Sequence, residues 1–506
     1  MIERTPAVSL RPAIALAAGA FALHWWANGG YGYFRDELNY IACGEHLAWG
    51  FVDHPPMIPA LAKLCRLLFG DSLRNIRLVP ALASSGLIVL GAALARELGG
   101  KAYALLLASV AMLIAPIYLS NGSLLTTNCL EPIFWMTCAF CAIRAIRLND
   151  PRYWLGFGVS LGLGLEEKYS IGIFAVAVAT GLLLTSQRRA LKSPWIWAGA
   201  AAALLLFLPN VLWNVEHHWP FLELMRNIRA SGRDVVLSPP QFLAQQVLLL
   251  HPLNAPIWMA GLGALLFGRR FAAYRLLGWS YLFTFAFFLA THGKNYYLAP
   301  VYPMLLAAGA VVIGDYLTGR WSRAAVVTLM VAAGAQSMPI AVPVLSPQRT
   351  LSYLKAMRAE VPRTEVSHTS ALPQHYADQF GWMELAELAG KTWQQLPAED
   401  KRDCPFFGQN YGQAGAIDFF GPRYGMPAAL SGHQSYFLWG PRGHSGRCVL
   451  VADDRREVLE RLWSDVQYVG TTDSPYALEG HIPLFLCRRP KFGSLAELWP
   501  GLKKWR

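Results

Sequence analysis

The sequence predicts a polytopic α-helical membrane protein of about eleven transmembrane helices followed by a C-terminal soluble α/β domain. Two observations lead there. Of 506 residues, 54% are hydrophobic and only 15% charged, against about 25% charged in an ordinary soluble protein. The deficit falls before residue 346, where long apolar runs are bounded by Arg or Lys. Residues 346–506 carry ordinary charge density and Pro/Gly-punctuated sequence. The expected domains are therefore 1–345, in the membrane, and 346–506, outside it.

The first apolar run, 12–27, follows Arg4 and Arg11. A signal peptide would share this pattern, but apolar character continues to Trp25-Trp26, which favours an uncleaved span. Further spans are expected at 78–96, 102–119, 128–147, 154–166, 170–185, 195–213, 242–267, 276–291, 299–317 and 324–345. The pair 154–166 and 170–185 is short for a bilayer that needs ~20 residues. It reads as a hairpin whose tip, Glu166-Glu167-Lys168, dips toward the outer face. The expected inner connections are all basic: Arg96 and Lys101; Arg144, Arg147 and Arg152; Arg188, Arg189 and Lys192; Arg269, Arg270 and Arg275; Arg320 and Arg323. An odd number of spans then places the tail outside the cytoplasm. The expected location is the plasma (inner) membrane, multi-pass, with a periplasmic or extracellular tail.

Net charge is +12, of which +10 belongs to residues 1–345 (25 basic, 15 acidic). These basic residues sit at span ends rather than on one soluble face, which excludes nucleic acid as a partner. The first outer loop, 28–77, nevertheless holds Lys63, Arg66, Arg74 and Arg77. Its stretch Leu61–Phe69 reads as an amphipathic, interfacial helix, and snorkelling to headgroups accounts for the four cations at least as well as a substrate role. The second outer loop, 216–241, carries His217-His218-Trp219-Pro220 and Arg226, Arg229 and Arg233. Two adjacent histidines without a third ligand point to an interfacial cluster rather than a metal site.

In the tail, helices are expected over Gln348–Glu360 and Gly381–Leu396, and strands over Arg447–Val451 and Leu484–Cys487. Gly408–Gly415 is glycine-rich but has neither the P-loop lysine nor the dinucleotide fingerprint. It reads as a strand-to-helix turn, with an acceptor-lining role as the alternative. None of the eight cysteines has metal-ligand spacing. Cys404, Cys448 and Cys487 permit one disulfide, with the pair open.

Chemistry gathers after the first span, in Gly29–Tyr40 and Gly50–Pro56. Arg35, Asp36, Glu37, Asp53 and His54 stand there among aromatics at a membrane surface. An ordinary loop with capping acids would explain Asp53 before Pro55, and explains the paired Asp36-Glu37 poorly.

The early acidic pair and the Asp53-His54-Pro55-Pro56 turn resemble glycosyltransferase family 39, polytopic enzymes of the GT-C type. The resemblance continues in Leu163–Ser170, in Lys294–Pro303 with its Tyr296-Tyr297, and in Gly408–Ala416. It implies a polyprenyl-phosphate-linked sugar as donor and a lipid, glycan or protein as acceptor. It also implies an inverting single displacement. Asp36 matches the family's acidic position and is the expected general base. Glu37 would orient the acceptor or tune Asp36, with a helix-start acid as the equal alternative. Arg35, His54, Lys168 and Lys294 are the phosphate-binding candidates, although Glu167 pairing with Lys168 would make that site structural. His54 stands where the aminoarabinose-transferase pattern has lysine. Tyr296, Tyr297, Asp53 and Glu167 would line the substrate. Asp53 matches a position that binds divalent metal in that relative, so a metal is left open. Rival readings are a lipid-linked sugar flippase, which would put functional charges near the midplane, and a non-enzymatic envelope assembly protein, which needs no Asp36.

Overall fold

The structure, a computed structural model, describes residues 8–359, 365–366 and 370–505. Arg4 and Glu360, which the sequence reading placed at segment ends, lie outside the described residues. The chain divides into two compact units. One holds 1–28, 76–213 and 235–345; the other holds 29–75, 214–234 and 346–506.

The first unit is helical, and a helix lies over each apolar run of the sequence. Five helices are long and apolar enough to cross a membrane: Leu78–Glu97, Pro194–Glu216, Ala272–Ala290, Asn295–Tyr316 and Arg320–Ala341. Counting two sharply bent pairs as one span each makes seven. Prolines explain two of the breaks. The run 102–119 divides at Ala115, which is held extended (φ −70°, ψ 115°) before Pro116. The run 242–267 bends by 98° where His251 (φ +78°) precedes Pro252. Arg11–Ala27 and Glu131–Arg147 have 17 residues each and Tyr153–Glu167 has 15. Small residues allow the closest packing: a Cβ on Gly309 would meet the Ile257 carbonyl oxygen at 1.8 Å.

The second unit is α/β. Strands β1 (Phe406–Phe407), β2 (Cys448–Ala452), β3 (Trp463–Thr471) and β4 (Pro483–Pro490) form a sheet in the order β1-β2-β4-β3. The β1–β2 pair is parallel and the others antiparallel. Alternation along β2 splits the core. Leu450 faces Leu385, Ala389 and Ile417 of helices Trp382–Gln395 and Tyr411–Phe420, whereas Val449 and Val451 face Leu459 and Trp463. A disulfide joins Cys404 to Cys448, and Cys487 is a buried free thiol. The helix Arg35–Glu45, in the loop expected outside the membrane, belongs to this unit, with Leu38 and Ala42 in the same core as Leu385 and Ile417. The next helix, Met57–Phe69, buries Ile58, Ala62 and Cys65 and exposes Leu64, Leu67, Leu68 and Phe69, as an interfacial helix would.

Two expectations for the loop cations are corrected. Arg77 does not snorkel: it is fully buried and donates to the Asn28 carbonyl at 3.1 Å. Arg66 instead bridges two acids of its own unit, Glu45 (2.7 Å) and Asp71.

Candidate active site

The Arg35–Glu45 helix begins at Phe34, which is held extended. Glu37 folds back so that its carboxylate accepts the Phe34 N–H at 2.9 Å, and the side chain is fully buried. This is the helix-start role. Asp36, one residue earlier, keeps 29% of its side chain exposed. Its Oδ1 accepts the Tyr411 hydroxyl at 2.7 Å and lies 3.8 Å from Arg35 Nε.

Around this carboxylate stands a buried charged group. Arg35 Nη2 lies 3.9 Å from Asp378, and its guanidinium stacks over the Tyr411 ring at 5.6 Å. Burial works against the Arg35 charge, but Asp378, Tyr411 and Asp36 outweigh it and hold the guanidinium protonated. Both carboxylate oxygens of Asp378 lack a hydrogen bond. Burial pushes this group up to about 7, more than Arg35 pulls it down. Burial likewise drives the Tyr411 phenol well above its ordinary value, so it remains a donor toward Asp36.

The Asp53-His54-Pro55-Pro56 turn closes with the Phe51 N–H on the His54 carbonyl. The His54 ring is 2% exposed, lies between Phe51 and Tyr40, and uses Nδ1 on the Pro55 carbonyl at 2.9 Å. Its Nε2 faces Asp53 at 3.6 Å. With the Gln434 amide turned so that nitrogen faces Asp53, it donates to both carboxylate oxygens, at 3.3 and 3.0 Å. Burial raises the Asp53 carboxyl despite His54. Among the described residues no group of three or more His, Cys, Asp or Glu is arranged to hold an ion.

The other candidates lie in the membrane unit. Lys168 ends helix Tyr153–Glu167 in an extended conformation. Its Nζ donates to Asn128 (2.6 Å) and Glu131 (3.0 Å), and sits over the Tyr297 and Tyr296 rings at 4.9 and 5.8 Å. Ser170 also donates to Glu131. Glu167, expected to line the substrate with pairing to Lys168 as the alternative, accepts the Leu130 N–H at 3.0 Å, at the start of helix Glu131–Arg147. Lys294 is half-buried and precedes the 3-10 helix Asn295–Val301. Gln246 fixes that turn by donating to the Asn295 carbonyl at 2.9 Å.

Sequence reasoning missed Tyr411, Asp378, His433 and Gln434. Tyr411 lay inside a quoted motif, Gly408–Ala416, whose glycines drew attention away from it.

Residues 53–213 match the family model described as dolichyl-phosphate-mannose-protein mannosyltransferase. No curated protein matches the chain. Among solved structures, ArnT from Cupriavidus metallidurans bound to undecaprenyl phosphate is similar at 14% identity and TM-score 0.62, covering 94% of this chain and 97% of that one. Its apo state gives 15% and 0.59 over the same shares. The Archaeoglobus fulgidus oligosaccharyltransferase tethered to an acceptor peptide is similar at 13% identity and TM-score 0.54, covering 93% of this chain and 74% of that one.

Proposed function

We propose, taking as premise that the chain is glycosyltransferase family 39-like with the GT-C fold, that it is a membrane glycosyltransferase using a lipid-linked donor. The donor is a sugar on a polyprenyl phosphate, and the acceptor is an extracytoplasmic lipid, glycan or protein. The tail and the Asp36 helix lie on the outer side of the membrane. The basic inner connections support that placement, and so does the Cys404–Cys448 disulfide, a bond that persists in oxidising compartments.

The observation that carries the reading is Asp36: a part-exposed carboxylate on the first turn of a helix, anchored through one oxygen. Oδ2 accepts the proton of the acceptor hydroxyl. The acceptor oxygen then attacks the anomeric carbon. The bond from that carbon to the phosphate oxygen breaks with its electron pair, and polyprenyl phosphate leaves with inversion. Lys294 neutralises the phosphate. Arg35 stands beside Asp36 as a counter-charge, Glu37 holds the helix start, and His54 and Gln434 brace Asp53. Lys168, already engaged by Asn128 and Glu131, aligns Tyr296 and Tyr297, while Glu167 caps the neighbouring helix.

The test is to incubate the purified protein with radiolabelled polyprenyl-phosphate sugars and a membrane extract. Label is expected in an extracted acceptor. Donors that remain intact across pentose and hexose classes would contradict the reading.

A further inference from the structure

The tail reaches Asp36 through the Tyr411 hydroxyl. The surroundings of that hydroxyl are more ordered than one hydrogen bond requires.

Tyr411 opens helix Tyr411–Phe420, whose start is built with care. Asn410 accepts the Gln413 N–H at 3.0 Å, closing the first turn. The Asn410 amide in turn donates to both oxygens of Glu479 at 3.0 Å, and the Gln413 amide donates to Glu479 (2.8 Å) and Asp453 (3.1 Å). The Tyr411 ring stacks on His433, with centroids 4.9 Å apart and planes 26° apart, and the Tyr411 N–H donates to His433 Nδ1 at 3.3 Å. His433 is held in turn by the segment 503–505. The Lys504 N–H donates to the Gly432 carbonyl at 2.8 Å, and the Trp505 indole donates to the Gln434 carbonyl at 3.1 Å.

The glycines of the motif take their meaning here. A Cβ on Gly412 would lie 2.5 Å from Arg35 Cγ, and one on Gly415 would lie 3.1 Å from the Leu38 backbone. Gly408–Gly415 is therefore no phosphate cradle. Its Gly412 and Gly415 give the smooth face that lets the Tyr411 helix lie against the Asp36 helix.

We infer that Tyr411 is a positioning residue of the transfer reaction, fixing the Asp36 carboxylate through Oδ1 so that Oδ2 meets the acceptor hydroxyl. The strand-like contact of 432–434 with 503–505 holds Tyr411 through His433 and Asp53 through Gln434, so one element of the tail braces both acids. The inference rests on Asp36 being the base.

Tyr411→Phe removes the hydroxyl and keeps the ring on His433. A lost hydrogen bond to a charged group predicts a fall in kcat of roughly tenfold to a hundredfold, with KM for donor and acceptor within about twofold and an unchanged melting midpoint, since the packing is retained. In an Asp36→Asn background the same substitution is expected to cost nothing further, because the group it aligns is gone. A Tyr411→Phe enzyme with wild-type kcat, or one whose loss multiplies fully with that of Asp36→Asn, overturns the positioning role while leaving the base in place. Near-normal transfer by Asp36→Asn alone overturns the base, and the positioning role with it.

Discussion

Lys168 donates to Glu131 at 3.0 Å, and Glu131 is 2% exposed. The pair joins the end of helix Tyr153–Glu167 to the start of the helix before it, Glu131–Arg147. Removing the cation leaves a buried carboxylate uncompensated, which typically costs about 3–5 kcal/mol. Lys168→Met is therefore expected to lower the melting midpoint sharply, with Lys168→Met/Glu131→Gln recovering most of it. Wild-type stability together with lost donor binding would make Lys168 a phosphate ligand instead.

Lys294 is expected to behave in the opposite way. Its turn is fixed through Asn295 and Gln246. Lys294→Met should fold normally and bind polyprenyl phosphate more weakly, by about 1.5–3 kcal/mol for a lost charge-assisted contact. Unchanged affinity in a stable variant would remove this role.

Asp378 sets a pH dependence. Its carboxyl titrates at about 7 in the folded protein and at 3.8 when unperturbed. Between these values the folded state holds a proton that the unfolded state has released. The stability of the tail therefore falls as pH rises from about 4 to about 7. Asp378→Asn should flatten that slope in melting curves taken at pH 5, 6, 7 and 8. An identical slope in the variant would show that other groups produce it.

Much of the fold was legible because its causes are local. Long apolar runs with basic ends mark helices in lipid whatever their neighbours are, and short β-like apolar runs marked β2 and β4. Asp36 was legible because a carboxylate just past an apolar span needs a reason. The partners were not legible. Tyr411 and Asp36 are 375 residues apart in sequence, and Asp378 and Gln434 look like ordinary tail residues until Arg35 and Asp53 are set beside them. Lys168 illustrates the same limit. Glu167 was the nearest acid in sequence, but a side chain directed to the start of another helix leaves the lysine for Glu131.

The disulfide closes a sequence separation of 44 residues between Cys404 and Cys448, a loop whose closure stabilises by about 4 kcal/mol in the chain-entropy model. Protein isolated under non-reducing conditions should resist alkylation at both positions, and Cys404→Ser should lower the melting midpoint. A reporter fused after Ser346 should show phosphatase activity outside the cytoplasm. Reactive thiols at Cys404 and Cys448, or a fluorescent cytoplasmic reporter, would place the tail inside.

The central claim is that Asp36 takes the acceptor proton, and Asp36→Asn tests it most directly. The substitution keeps the shape and removes the basicity. Loss of a general base typically costs ~10²–10⁴-fold in rate. The purified variant should insert, melt and bind polyprenyl phosphate like the wild type while its transfer rate falls by that factor. Transfer at close to the wild-type rate would contradict the account and turn attention to Asp53.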